Sequence, residues 1–219
     1  MTIYPFSSRI RSSGNLDGRH AESLLISVVI LTKNAGPDLA LCLDRVARQA
    51  CPFPYEVVVI DSGSTDGTVA LARRFEASVH SIPPDEFGHG KTRNLGARLT
   101  RGQYIVYLTQ DAVPANQWWL TYLVAPLTYD RRVAGSYSRQ IPREQCIPCE
   151  ARDLRDYMPV VREVRSIDLS HPFEQQHFRT HQRRLILFSN VSSCLRRCAW
   201  RDHPFDETIP MCEDQKWCN

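Results

Sequence analysis

Asp61 sits at the end of a β-branched run and opens a turn of small polar residues, Val57-Val-Val-Ile-Asp-Ser-Gly-Ser-Thr-Asp-Gly-Thr68. Two more polar clusters follow: the loop Glu86-Phe-Gly-His-Gly-Lys-Thr-Arg-Asn-Leu-Gly96 and the pair Gln110-Asp111. Carboxylates can accept N–H groups or hold a cation, and Arg or Lys can meet phosphate. A set of this kind suits a nucleotide. Each cluster alone has a plainer account, and an aspartate at a strand end is commonly a turn former or a helix cap. The conjunction of the three carries the expectation of a site.

Elements of alternating type must position these residues. Residues 26–32 are apolar and β-branched, as a buried strand requires, and 37–50 place Leu39, Cys42, Leu43, Val46 and Ala47 at helical spacing, with Pro37 in the first turn. Residues 55–61 predict a second strand, 66–76 a helix and 78–82 a short third strand. A helix from about Lys91, closed at Gly102, leads into a fourth strand over 103–109. Alternation at these lengths implies an α/β fold, Rossmann-like, with a mostly parallel sheet and helices on both faces. Asp61, the 86–96 loop and Gln110-Asp111 then fall at the carboxyl edge of the sheet, where such folds bind ligands.

Beyond the Trp118-Trp119 pair, expected to lie on an amphipathic helix packed against the sheet, the pattern loosens. It suggests a strand over 133–141, a broken helix over 149–164 and a short strand over 185–188, with residues 142–148 the nearest thing to a linker. No internal repeat or low-complexity tract is visible. G-x-G-x-x-G is absent after the first strand, where Thr32-Lys-Asn-Ala-Gly-Pro37 stands, which disfavours a nicotinamide or flavin enzyme; no Walker loop occurs either.

At 219 residues the chain can form one large domain, here divided into a loose tail over 1–24 and a domain over 25–219. Its net charge of +3 is too mild for a nucleic-acid partner. Twelve of the 24 arginines lie between Arg139 and Arg201, against seven acidic residues, so this stretch is either an anion-facing surface or a solvated helical face. No secretory signal and no run of about 18 apolar residues is present, so a cytoplasmic chain is expected, in solution or peripheral at the inner face of the membrane. Eight cysteines include Cys146-x2-Cys149 and Cys194-x3-Cys198. The second spacing is wrong for most zinc knuckles, and Cys194 and Cys198 are expected one helical turn apart as reduced, packed thiols.

In this order the clusters resemble glycosyltransferase family 2, the inverting nucleotide-sugar enzymes of GT-A fold. The similarity runs continuously over about residues 27–114 and more weakly to the end. Ser27-Val-Val-Ile-Leu-Thr-Lys-Asn34, Asp61-Ser-Gly-Ser-Thr-Asp-Gly-Thr68 and Arg93-Asn-Leu-Gly96 match the nucleotide-binding elements. Phe87-Gly-His-Gly-Lys-Thr-Arg-Asn94 and Thr109-Gln-Asp-Ala-Val-Pro114 are most similar to the rhamnosyltransferase branch. The resemblance implies a sugar, rhamnose in that branch, moved from a nucleoside-diphosphate-sugar donor to a polysaccharide or lipid-linked acceptor. The donor-side set it implies is Thr32, Asn34, Asp61, the turn position Gly63, Lys91, Arg93, Asn94 and Gln110. Asp61 would accept the imino N–H of uracil or thymine beside Thr32, and Arg93 would meet phosphate or stack on the base.

The resemblance further implies Mg2+ or Mn2+ held by Asp111. Thr109-Gln110-Asp111 replaces the usual Asp-x-Asp, so one carboxylate would hold the ion with water and phosphate oxygens. His89, alone between glycines, reads as a loop hydrogen bonder. In the late acidic motif, Asp214 would be the base and Glu213 its support, with residues 190–193 on the acceptor side; read without the resemblance, these acids open a short helix. Relatives continue past this motif whereas this chain stops at Asn219, so Asp214 is expected to lack packing. The rival expectation is a shortened, catalytically weak nucleotide-binding domain. A nucleotidyltransferase is disfavoured, because that chemistry wants a glycine- and lysine/arginine-rich loop after the first strand.

Overall fold

The computed structural model describes residues 25–157 and 188–218, together with Gln176. The 1–24 tail and most of the region between 158 and 187 lie outside the described residues.

Four strands run parallel: β1 (Ile26–Thr32), β2 (Tyr55–Asp61), β3 (Ser78–Ser81) and β4 (Tyr104–Thr109). They are joined by α1 (Gly36–Ala47), α2 (Thr68–Arg74), a 3-10 turn at Pro84–Glu86 and α3 (His89–Leu99). After β4 come α4 (Trp119–Tyr129), β5 (Gly135–Tyr137), α5 (Pro148–Tyr157), β6 (Ser192–Arg196), α6 (Arg197–Asp202) and α7 (Glu213–Trp217). The sheet order is β3-β2-β1-β4-β6-β5, with β6 antiparallel to both neighbours.

The central strands are buried on both faces, which is why they read as unbroken apolar runs. Val28, Ile30, Val106 and Leu108 pack on one side with Leu39, Leu43 and Val46 of α1 and with Leu120, Leu123 and Leu127 of α4. Val29, Ile60, Ile105 and Tyr107 point to the other, against Ala97 of α3, Trp200 of α6 and Phe205. Helices therefore cover both faces, as expected. α3 can approach β1 closely because residue 96 is glycine: a Cβ there would stand 2.4 Å from Val29 Cγ1. No helix among the described residues is long and apolar enough to cross a membrane.

The second half departs from expectation. The strand expected over 133–141 is only the three residues of β5, and Phe188 lies outside any strand, while 185–187 lie outside the described residues. The helix expected over 149–164 is described only as far as Tyr157. Cys194 and Cys198 do not share a helix, because Cys194 is in β6 and Cys198 in α6. Cys194 is fully buried and its thiol is pushed up by burial, so it packs as a small hydrophobe.

Candidate functional site

Strand register gathers the sequence-predicted residues at one edge. Thr32 pairs with Asp61, and Leu31 with Thr109, so the carboxyl ends of β1, β2 and β4 finish together. β6 runs the opposite way, and its start, Ser192, pairs with Leu108. Thr109 N–H donates to the Val191 carbonyl at 3.0 Å. The segment before β6 therefore reaches the same edge, and it carries Asn190.

Asp61 is buried, and its carboxylate is filled by the chain itself. It accepts from Thr32 Oγ1 at 3.0 Å, Gly63 N–H at 3.2 Å, Ser64 N–H at 2.9 Å and the Ser64 hydroxyl. Four donors match the four lone-pair sites of a carboxylate. Gly63 is held at φ +80, and a Cβ there would lie 2.6 Å from Pro84, so the turn needs glycine. The β1–α1 loop is tied to this turn by Asn34, whose N–H donates to Ser64 Oγ at 2.8 Å and whose Oδ1 accepts from Thr65 N–H at 2.9 Å. Gln110 joins β1 to β4 by accepting from Lys33 N–H at 2.8 Å.

On α3, Lys91 is exposed, whereas Arg93 and Asn94 are buried. Arg93 Nη1 is ion-paired with Glu213, and its Nε is buried without a partner among the described residues. Asn94 donates to the Phe205 carbonyl at 2.8 Å and to Glu207 at 2.9 Å. It accepts from Trp200 Nε1 at 2.9 Å and Phe205 N–H at 3.1 Å. These two residues of the predicted donor set thus fasten the late part of the chain to α3. His89 is in edge contact with the Phe87 ring, 5.1 Å between centroids.

The acidic pair is well held, contrary to the expectation that Asp214 lacks packing. Glu213 is buried and accepts from Arg93 and from Asn190 Nδ2 at 3.1 Å. Asp214 accepts from Asn190 N–H at 3.0 Å and Gln215 N–H at 2.9 Å. Burial, and then the neighbouring Glu213 charge, raise the Asp214 carboxyl above the usual aspartate range, although the Asn190 and Gln215 amides and Arg93 pull it back. Trp217 packs on Phe188 and Phe205, with centroids 5.6 and 6.3 Å apart, and its Nε1 donates to the His203 carbonyl at 2.6 Å. Cys212, just before the pair, has φ +66, a strained value for a non-glycine residue.

Asp111 is exposed, and its carbonyl accepts from Arg143, whose Nη1 also meets Asp38 at 2.8 Å. Gln110 is neutral, and among the described residues no group of three or more His, Cys, Asp or Glu side chains is placed to hold an ion. One exposed carboxylate fits Mg2+ or Mn2+ as an ion shared with phosphate oxygens and water rather than as a protein cage. Asn190 was foreseen only as part of an acceptor segment, and Arg143 and Asp38 were not singled out. The signals for them were slight: an arginine-rich stretch, and an acid in the first turn of a helix.

Residues 27–203 match the profile of Glycosyl transferase family 2. The chain belongs to that family. An O-antigen chain rhamnosyltransferase of Salmonella typhimurium is 37% identical over 125 residues, which are 56% of this chain and 39% of the relative. Another, of Salmonella anatum, is 36% identical over 96 residues, 43% of this chain and 30% of the relative. The chain thus spans well under half the length of these curated relatives. Residues 1–349 of S. aureus TarS share the fold with TM-score 0.61 at 19% identity, covering 89% of this chain and 54% of that one. A Pyrobaculum calidifontis mannosyltransferase in complex with GDP-Man and Mn2+ gives 0.59 at 20% identity, covering 88% and 50%. The family 2 chain has the GT-A fold.

Proposed function

We propose that the protein transfers a sugar, rhamnose by its relatives, from a nucleoside-diphosphate-sugar donor to a saccharide or lipid-linked acceptor with inversion at the anomeric carbon. The observation that carries this reading is the convergence of Asp111 and Asp214 on one sheet edge, through the reversed direction of β6. The rhamnosyltransferase relatives support the choice of sugar.

Asp214 is the base. It takes the proton of the acceptor hydroxyl as that oxygen bonds to the anomeric carbon and the bond from that carbon to the diphosphate oxygen breaks on the opposite face. A carboxyl raised above the ordinary aspartate range is a better proton acceptor at neutral pH while still ionised. Asn190 and Glu213 hold it in place. Asp61 works by shaping the Ser62-Gly63-Ser64 turn against which the nucleobase would lie, with Thr32, Asn34 and Gln110 fixing the neighbouring loops. Lys91, exposed in the first turn of α3, would offer the donor a further positive charge. Asp111 would hold Mg2+ or Mn2+, which when bound neutralises charge gathering on the diphosphate. A lipid-linked acceptor would bring the chain to a membrane surface.

Titration with thymidine and uridine diphosphates, with and without Mg2+, followed by a donor-hydrolysis assay, tests this reading. Metal-enhanced binding with slow hydrolysis is expected. Asp214→Asn should abolish turnover and leave nucleotide affinity within about twofold, because the base acts only in the transition state. Turnover that survives the substitution would remove Asp214 from its role. Binding with no hydrolysis by the unaltered chain would favour the nucleotide-binding domain instead.

A further inference from the structure

Arg93 is buried against Glu213. A second arginine stands at the same edge. Arg143 lies on the loop between β5 and α5, 105 residues from Asp38 and 32 from Asp111 in sequence. Its guanidinium nevertheless joins the first turn of α1 to the Asp111 carbonyl. Arg143 and Asp38 are 43% and 45% exposed, so their ion pair is worth only a small factor in an equilibrium constant.

We infer that Arg143 is a cation of the donor's diphosphate site, with Asp38 and the diphosphate as alternative partners for its guanidinium. The inference rests on the proposed nucleotide-sugar chemistry. A guanidinium offers a planar fork of donors that suits two phosphate oxygens, and a diphosphate carries more charge than the single Asp38 carboxylate. Exchange of partners is therefore favourable. The charge also has a reason to be here. Thr109 stands where the usual Asp-x-Asp has its other acid, so a protein-borne cation beside Asp111 lets the diphosphate be neutralised with less reliance on metal.

Calorimetric titration of the full chain with UDP and TDP, in EDTA and in excess Mg2+, tests this. Arg143→Ala should weaken metal-free affinity about tenfold, with Arg143→Lys between it and the unaltered chain. Asp38→Asn, which leaves Arg143 in place, should tighten metal-free binding about two- to threefold by removing the competitor. If the unaltered chain binds and neither Arg143→Ala nor Asp38→Asn changes the affinity, the inference is overturned while the nucleotide reading stands. If Arg143→Ala does not fold, Asp38→Asn alone decides, and unchanged or weaker binding sinks the inference. A chain that binds neither nucleotide in either buffer overturns the proposed function itself.

Discussion

A carboxylate's role depends on whether its lone pairs are free, and the acids of this site divide on that point. Asp61 has four chain donors on two oxygens and is nearly sealed, so its lone pairs are taken up by the turn it closes. Asp214 has one backbone donor on each oxygen and remains half-buried, which leaves acceptor capacity for a hydroxyl proton. Its environment also sets the pH response. A base must be ionised, so kcat/KM should rise with pH through the Asp214 pKa, and that limb should sit above the usual aspartate range. Glu213→Gln keeps the side chain's shape but removes a nearby negative charge and leaves Arg93 unneutralised. Both changes favour the ionised form of Asp214, so the acid limb of the pH–rate profile should move to lower pH. A profile that stays in place would mean that Glu213 does not act on Asp214 through charge.

At the scale of elements, α3 shows what sequence can and cannot reveal. Its existence, its place between β3 and β4 and its Gly-rich sequence were legible, because helical periodicity and turn residues are local properties. What its residues touch was not legible. Asn94 and Gly96 resemble a nucleotide-binding motif, yet Asn94 fastens Trp200, Phe205 and Glu207, more than a hundred positions away, and Gly96 makes room for Val29. The same limit hid β6. Its short run Ser192-Ser-Cys-Leu-Arg196 acquires strand identity only from pairing with β4 and β5, whereas β1 and β2 announce themselves by apolar length. Several arginines of the 139–201 stretch resolve likewise: Arg196 binds the carbonyls of Val133, Leu127 and Asp130, and Arg197 those of Ala97 and Gly102. If Asn94 is a fastener, Asn94→Ala leaves the buried Trp200 Nε1 and the Phe205 amide unpaired and should cost about 2–4 kcal/mol in denaturant unfolding. An unfolding midpoint unchanged by Asn94→Ala would return Asn94 to the ligand side.

The whole molecule is built in two parts that meet at one edge. The parallel strands β1 to β4 pair with one another and supply the turns around Asp61 and the Gln110-Asp111 corner. β6, α6 and α7 supply the acidic pair, tied back by Arg93, by Asn94 and by the Phe188–Trp217–Phe205 aromatic stack. Donor binding and base placement should therefore be separable by perturbing the second part alone. Trp217→Ala removes an aromatic lid from α7 and the hydrogen bond to His203, at a cost of about 2 kcal/mol for a half-buried ring. That loss is concentrated where Asp214 is held, and a helix as short as α7 has little stability of its own to resist it. Turnover should fall about tenfold or more, because a small displacement of a base costs heavily in rate. Nucleoside diphosphate affinity, measured calorimetrically on the same preparation, should stay within about twofold. Equal losses of turnover and affinity would show that the two parts are one cooperative unit and that the late chain shapes the nucleotide pocket as well as the base.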